Sequence, residues 1–268
     1  MHKGLICYDK ERYSKNIFFA NELKNYLIEK HIEAEICITE DINIYSGINF
    51  VIMRTYKENL SKNLENKNIK VFNCSEVSEI CNDKHKTYKF FDSLGLNYLP
   101  YKLISTKDYK TEQLNFPLII KSRFGHGGNE VFFANTVNDI EKAFEKCEND
   151  TLIAQKAAKT FGKDKRVYVL GGKILVGVLR TSSTDFRSNF SLGGNASLCE
   201  ITNEEKNIVK KIVENLKIDF AGIDFIYDED KPLLNEIEDI VGCRMLYKFN
   251  INAAKTYVNY VLEVLKGL

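Results

Sequence analysis

Proline occurs only three times in this chain and glycine fifteen, which excludes a collagen-like sequence. No internal repeat and no low-complexity linker interrupts it. Histidine is sparse, with four residues. The seven cysteines (Cys7, Cys37, Cys74, Cys81, Cys147, Cys199, Cys243) are scattered and never form CxxC. That leaves no zinc spacing and no disulfide framework, so a reduced, cytoplasmic protein is expected. An excess of charge is also missing: 38 Lys+Arg stand against 37 Asp+Glu, a net charge of +1. Without a global basic field, nucleic acid is not an expected partner. No stretch approaches the roughly 18 uncharged apolar residues of a membrane span. The opening MHKGLICYDKER meets charge too soon for a signal-peptide core. What is present is 268 residues, 44% hydrophobic and 28% charged, enough for one large domain or two smaller ones.

The opening third alternates strand and helix. Gly4–Tyr8 reads as a buried strand, with Ser14 as the N-cap of a helix carrying Ile17, Phe18, Leu23, Tyr26 and Leu27. Ile36–Ile38, Ile48–Met53 and Ile69–Phe72 read as further strands. Strands separated by helices imply parallel pairing, hence an α/β unit over residues 1–80. Tyr8, Asp9, Arg54 and Tyr56 fall where strand ends face a cleft. A second unit, 81–155, opens with a helix entered at Asp83 and stopped at Gly95. It continues through the strand Leu118–Lys121, a glycine-rich turn, the strand Glu130–Phe133, a helix over Val137–Cys147 and the strand Thr151–Gln155. The third, 156–268, has a hairpin around Gly171-Gly172, a helix capped near Asn203, a second hairpin (Phe220–Tyr227, Pro232–Glu238) and a last helix over Asn252–Lys266.

The second hairpin carries the most chemistry. Centred near Asp230, it sets Asp224 opposite Glu236, and strand periodicity puts Glu236 and Glu238 on one face. Three converging carboxylates repel unless a hard divalent cation sits between them, and all-oxygen ligation suits Mg²⁺. Acids on the solvent face of an amphipathic hairpin are an equal reading on spacing alone. Lys121 ends the strand PLIIK just before SRFGHGGNE, where Gly125, Gly127 and Gly128 let backbone N–H groups approach phosphate. By itself this is more commonly a glycine-rich hairpin turn. Asp185-Phe186-Arg187-Ser188-Asn189 supplies a guanidinium fork and a neutral amide, or simply a surface loop. The basic stretch Lys156, Lys159, Lys163, Lys165 and Arg166 reads as a solvated loop face, and His126 as a loop histidine in water.

In this order the pieces PLIIK, glycine loop, R-x5-FRSN (Arg180 to Asn189), AGIDF and NEIE resemble the ATP-grasp superfamily, and within it the RimK-like amino-acid ligases. The resemblance covers residues 71–240. It implies an α/β (α+β) ATP-grasp fold, with an N-terminal parallel α/β domain and two α+β subdomains that clamp ATP. It implies that Lys84 and Lys121 contact the phosphates, that Gly125, Gly127 and Gly128 close over them, and that Gln155, Lys156 and Ala157 form the adenine segment. Asp164 would lie at the ribose, with Arg187, Ser188 and Asn189 beside the terminal phosphate. Arg180 is a further single-arginine candidate for the reaction. Asp224, Glu236 and Glu238 would hold Mg²⁺, or Mn²⁺ in its place.

Three departures stand out. The adenine segment reads Lys156-Ala157 where the family carries an acid and an aromatic. Glu238 stands where it carries Asn. Asp239–Arg244 replaces its Asn-Pro-Gly continuation, placing Arg244 near the acyl acceptor. The resemblance implies an ATP-dependent carboxylate–amine ligase acting on small-molecule or peptide carboxylates and amines. A non-catalytic ATP-binding module and an ATP-grasp kinase stay open beside it, as does a homo-oligomer.

Overall fold

A computed structural model describes residues 3–39, 47–57, 59–110, 113–147 and 149–267. Strands β1 (Lys3–Tyr8), β2 (Glu33–Ile38), β3 (Phe50–Met53) and β4 (Lys70–Phe72) pair in parallel in the order β2-β1-β3-β4. Runs such as GLICY and FVIM suit strands covered on both faces. Helix α1 (Lys10–Glu29) makes the crossover from β1 to β2. It starts before the expected Ser14: Asp9 is the N-cap, its carboxylate accepting from the Arg12 N–H. The helix kinks at Asn16, whose side-chain amide donates to the Arg12 carbonyl. Two short helices, α2 (Leu60–Glu65) and α3 (Ser75–Cys81), flank β4 in sequence.

Helix α4 (Lys84–Ser93) is capped by Asp83, as the sequence anticipates. The second sheet is antiparallel, in the order β5-β8-β6-β7. It joins β5 (Tyr101–Ser105), β6 (Leu118–Ser122), β7 (Val131–Ala134) and β8 (Thr151–Lys156), with α5 (Val137–Lys146) capped by a Thr136–Asp139 box. The third sheet, β11-β10-β9-β12-β13, is antiparallel too. Its strands are β9 (Lys163–Leu170), β10 (Lys173–Thr181), β11 (Asn195–Cys199), β12 (Phe220–Asp228) and β13 (Lys231–Glu238). Helices α6 (Asn203–Asn215), α7 (Arg244–Lys248) and α8 (Ala253–Lys266) complete the chain. Strands β5 and β11 were not anticipated; YKLIS and NASLC are short and half polar, and both lie at sheet edges.

Two expectations are refined. Lys156 and Lys159 of the basic stretch are exposed, as expected, but Lys163 to Leu170 form a strand in which Lys165 and Arg166 are buried and ion-paired. The hairpin turn is centred between Glu229 and Asp230, half a residue before the expected Asp230, with Asp228 opposite Lys231. That register alone would pair Asp224 with Asn235. A bulge between Asp224 and Phe225 takes up Asn235 and restores Asp224 opposite Glu236.

The largest core joins the ends of the chain. Ile6 and Leu23 pack in one cluster with Tyr168, Val178 and Phe220 of the third sheet and Val258, Val261 and Leu265 of α8. Asn73, after β4, is buried and holds this junction: its Oδ1 accepts from the N–H groups of Asp219 and Phe220, and its Nδ2 donates to the carbonyls of Phe220 and Asp239. Among the described residues no helix is long and apolar enough to cross a membrane.

Candidate active site

Between the second and third sheets lies a cleft that gathers Lys84, Lys121, Gly125, Gly127, Gly128, Gln155, Lys156, Asp164, Arg180, Arg187, Ser188, Asn189, Asp224 and Glu236. Residues spread over more than 150 positions of sequence thus share one wall system. Ala157 is not among them: it is buried and its N–H donates to the Pro117 carbonyl, while Ala158 lines the cleft. Glu238 and Arg244 line an adjoining second cavity, which shares Arg180, Asn189, His126 and Glu236 with the first.

Two lysines define the charge of the cleft. Lys84 opens α4, where Asp83 accepts from two helical N–H groups and is bidentate with Arg123 at 2.7 and 2.6 Å. Arg123 begins the glycine loop, so this pair fixes the loop's stem to α4. Lys84 Nζ donates to the Gly125 carbonyl and lies 3.9 Å from Glu236. Lys121 Nζ donates to Asn235 Oδ1 at 3.1 Å and stands over the Tyr88 ring. The bulge that accommodates Asn235 therefore also supplies the Lys121 partner. Both ammonium groups are buried, and burial lowers both pKa values, that of Lys121 to about 8. Glu236 opposes the shift at Lys121 without making an ion pair. Two neighbouring buried ammonium groups, whose burial outweighs the nearby carboxylates, are an arrangement suited to an anion.

The glycine loop and the DFRSN segment close on each other. Arg187 is held by Asp185 and donates to the Gly128 carbonyl at 2.9 Å. Gly128 has φ +81°, and a Cβ there would stand 2.9 Å from Asn189 Oδ1. His126 is not free in water: it stacks on Tyr56 with ring centroids 3.7 Å apart and planes 9° apart. Arg12 covers the same ring at 3.8 Å, which places it on the opposite face. Burial, with Lys84 and Arg12 adding to it, holds the His126 pKa down to about 3.

Asp224 is 1% exposed and takes three hydrogen bonds, two from Arg166 and one from Arg180, each at 2.7 Å. Burial would raise its pKa, but the two guanidiniums outweigh this and hold it at about 2. Arg180 is also bidentate with Asp164, at 2.6 and 2.8 Å. Arg166 reaches Glu238 as well, and burial together with the nearby Asp224 raises the Glu238 pKa, with Arg166 opposing. Arg166 was missed by sequence reasoning although a signal existed. Asp164, Arg166 and Tyr168 alternate along β9, and each arginine has an acid directly opposite it, Arg166 across from Asp224 and Arg180 across from Asp164.

Among the described residues no three His, Cys, Asp or Glu side chains form a metal-binding group by themselves. The donor chemistry nonetheless fits a hard cation shared with phosphates, which needs only one or two carboxylates. Among the described residues Glu236 makes one ion pair, at 3.9 Å to Lys84. Asp224 offers about four lone-pair directions, of which the arginines use three, leaving one on Oδ1.

This architecture is that of the ATP-grasp ligases. The D-alanine–D-alanine ligase of Bacillus anthracis, solved with ATP, superposes with a TM-score of 0.77 over 98% of this chain and 96% of that one, at 18% identity. A RimK domain ATP-grasp protein of Sphaerobacter thermophilus gives 0.73 over 97% and 99%, at 11% identity. The sequence narrows the class: residues 82–261 match the RimK-like ATP-grasp domain, and the chain belongs to that family. It is 31% identical to an uncharacterized protein of Mycoplasma genitalium over 98% of this chain and 94% of that one. It is 32% identical to a probable alpha-L-glutamate ligase of Parasynechococcus marenigrum, over 75% of this chain but 46% of the relative.

Proposed function

We propose that the protein is an ATP- and Mg²⁺-dependent carboxylate–amine ligase with an amino acid as one substrate. The observation that carries this reading is contiguity. The buried lysine pair and the loops that close over it open directly into a second cavity through Glu236, Arg180 and Asn189. A binding module needs only the first space; a ligase needs both.

In this reading residues 81–155 and 156–268 close on the nucleotide, and residues 1–80 bound the second cavity. Lys84, Lys121 and Arg187 neutralise the equatorial phosphate oxygens, with N–H groups of Gly125–Gly128 beneath them. Gln155, Lys156 and Ala158 border the base, and Asp164 the ribose. Ser188 and Asn189 stand beside the γ-phosphate. Glu236, Glu238 and Asp224 would hold magnesium, which when bound neutralises charge on the phosphates. A substrate carboxylate oxygen attacks the γ-phosphorus and the bond to ADP breaks, giving an acyl phosphate. The amine nitrogen of the second substrate then attacks the acyl carbon. Phosphate leaves, the nitrogen loses a proton, and an amide remains. Arg180, Asn189 and Arg244 lie along the acyl side, and the chain's contribution is mainly positioning and charge neutralisation.

The test is ADP release from Mg-ATP with pools of carboxylates, each with and without an amine. ADP that requires acid and amine together supports the ligase. ADP formed with an alcohol acceptor and no amine replaces it with a kinase. Silence in every pool, with ATP still raising the melting temperature, replaces it with a binding module.

A further inference from the structure

The glycine loop is tied to a part of the chain that stays outside the nucleotide cleft. Among the described residues nothing from 1–80 lines that cleft, whose wall begins at Lys84. The tip of the loop nevertheless leaves its own subdomain. His126, between Gly125 and Gly127, stacks on Tyr56 of the N-terminal unit at 3.7 Å, with the two rings 9° from parallel. Tyr56 follows β3, at the carboxyl edge of the parallel sheet. On its other face lies the Arg12 guanidinium, 3.8 Å from the ring centroid. Arg12 is itself fixed in the first turn of α1. Asp9 accepts from its backbone N–H at 2.8 Å and from its guanidinium at 2.9 Å.

A glycine-rich loop is costly to order. Gly127 and Gly128 have φ +72° and +81°, and glycine loses more conformational freedom on fixing than any other residue. A loop ordered only when its ligand arrives subtracts that loss from affinity, whereas one fixed beforehand does not. The stack fixes the tip. A face-to-face ring contact and a cation over the far side of Tyr56 each favour the docked loop. Burial, with Lys84 and Arg12, keeps the imidazole neutral, so the guanidinium behind Tyr56 does not repel it. His126 and Gly127 line both cavities, while Arg12 and Tyr56 line the second but not the first. The stack therefore stands at the threshold between them, with the loop on the nucleotide side.

We propose that Tyr56 and Arg12 are positioning residues for nucleotide binding, holding the glycine loop closed over the phosphates through His126. The N-terminal unit thereby sets how long the nucleotide stays, without contacting it. The stack requires the ring of Tyr56 and not its hydroxyl, so phenylalanine at this position should serve and leucine should not. The inference rests on the ligase reading for the identity of the nucleotide, but docking of the loop is measured without one.

The experiment compares the full chain with its Tyr56→Leu, Tyr56→Phe and Arg12→Gln variants. The chain has four histidines, so NMR resolves the His126 ring protons, which the Tyr56 ring should shift upfield. That shift should survive in Tyr56→Phe and vanish in Tyr56→Leu. Without nucleotide, amide exchange over Gly125–Asn129 should be about tenfold faster in Tyr56→Leu, with the amides of β9 and β12 unchanged. A fluorescent, non-hydrolysable ATP analogue with Mg²⁺ should leave Tyr56→Leu about tenfold faster than the parent, and Arg12→Gln about threefold faster. Tyr56→Phe should match the parent in loop exchange and in release. Tyr56→Phe behaving like Tyr56→Leu, unchanged loop exchange or release in Tyr56→Leu, or a uniform rise in exchange across the sheets would overturn the proposal. Should Tyr56→Leu not fold, loop exchange in Arg12→Gln decides it: faster upholds it and unchanged overturns it. If the parent does not bind the analogue, the ligase reading falls, and loop exchange in the variants still upholds or overturns the docking.

Discussion

Lys121 is charged below a pKa of about 8 and neutral above it. A phosphate binds the charged form, so nucleotide affinity should be full below pH 8 and fall as pH rises through it. Binding should pull the lysine pKa back up, and Lys121→Arg should abolish this limb; nucleotide titrations between pH 7 and pH 9.5 check it. The two acids of the hairpin should respond differently. Glu236 is 27% exposed at its side chain, with only a 3.9 Å ion pair, so Glu236→Gln should keep the parent's melting temperature while suppressing ADP formation by two orders of magnitude or more. Asp224→Asn leaves two buried guanidiniums underpaired and should cost about 3–5 kcal/mol of stability as well. Denaturant midpoints of the two variants separate chemistry from folding.

At the scale of elements, the decisive feature is how loops are tied rather than what they contain. The glycine loop is anchored at its stem by Asp83–Arg123, at its tip by the Arg12–Tyr56–His126 stack, and across the cleft by Arg187. Gly128 is where these constraints meet. Alanine there must adopt φ +81°, at a cost of about 1–3 kcal/mol, and its Cβ would press on Asn189. Gly128→Ala should therefore raise the ATP KM about tenfold and lower the unfolding free energy by about the same 1–3 kcal/mol, which steady-state kinetics and urea melts would show together. The bulge in β13 is the second such device. It places Asn235 against Lys121 and Glu236 opposite Asp224, duties that an unbulged strand would divide between its two faces.

At the scale of the whole molecule, the ends of the chain are one body. Leu23 of α1 is fully buried in the cluster that includes α8 and the third sheet. Leu23→Ala should cost about 3 kcal/mol. It should shift the entire unfolding transition, including the loss of nucleotide binding, although the residue lies in the N-terminal unit. Two transitions in which the ATP cleft survives the loss of the parallel sheet would disprove this coupling. The shared core also gives the cavity a fixed wall, since Tyr8 and Arg54 sit on a sheet packed into the same interior as β9, β10 and β12.

Local chemistry made much of this protein legible. Apolar runs predict all the strands but β5 and β11, Asp83 and Gly95 bound a helix, and the motifs from PLIIK to NEIE are sufficient to indicate the family. Such features depend on neighbours a few residues away, and sequence records those directly. Pairings across strands are different. Nothing local makes Arg166 the partner of Asp224 or puts Tyr56 beneath His126, because each depends on the register of distant segments. The bulge shows this best: a turn centred half a residue early, which shifts the register by one, and one accommodated residue cancel, and only the assembled sheet reveals both. The sequence by itself determined which chemical groups are available and which family they belong to. The tertiary structure decided which charges are paired, like Arg166 with Asp224, and which, like Lys121, are buried without an ion pair among the described residues, because burial and counter-charge are properties of packing.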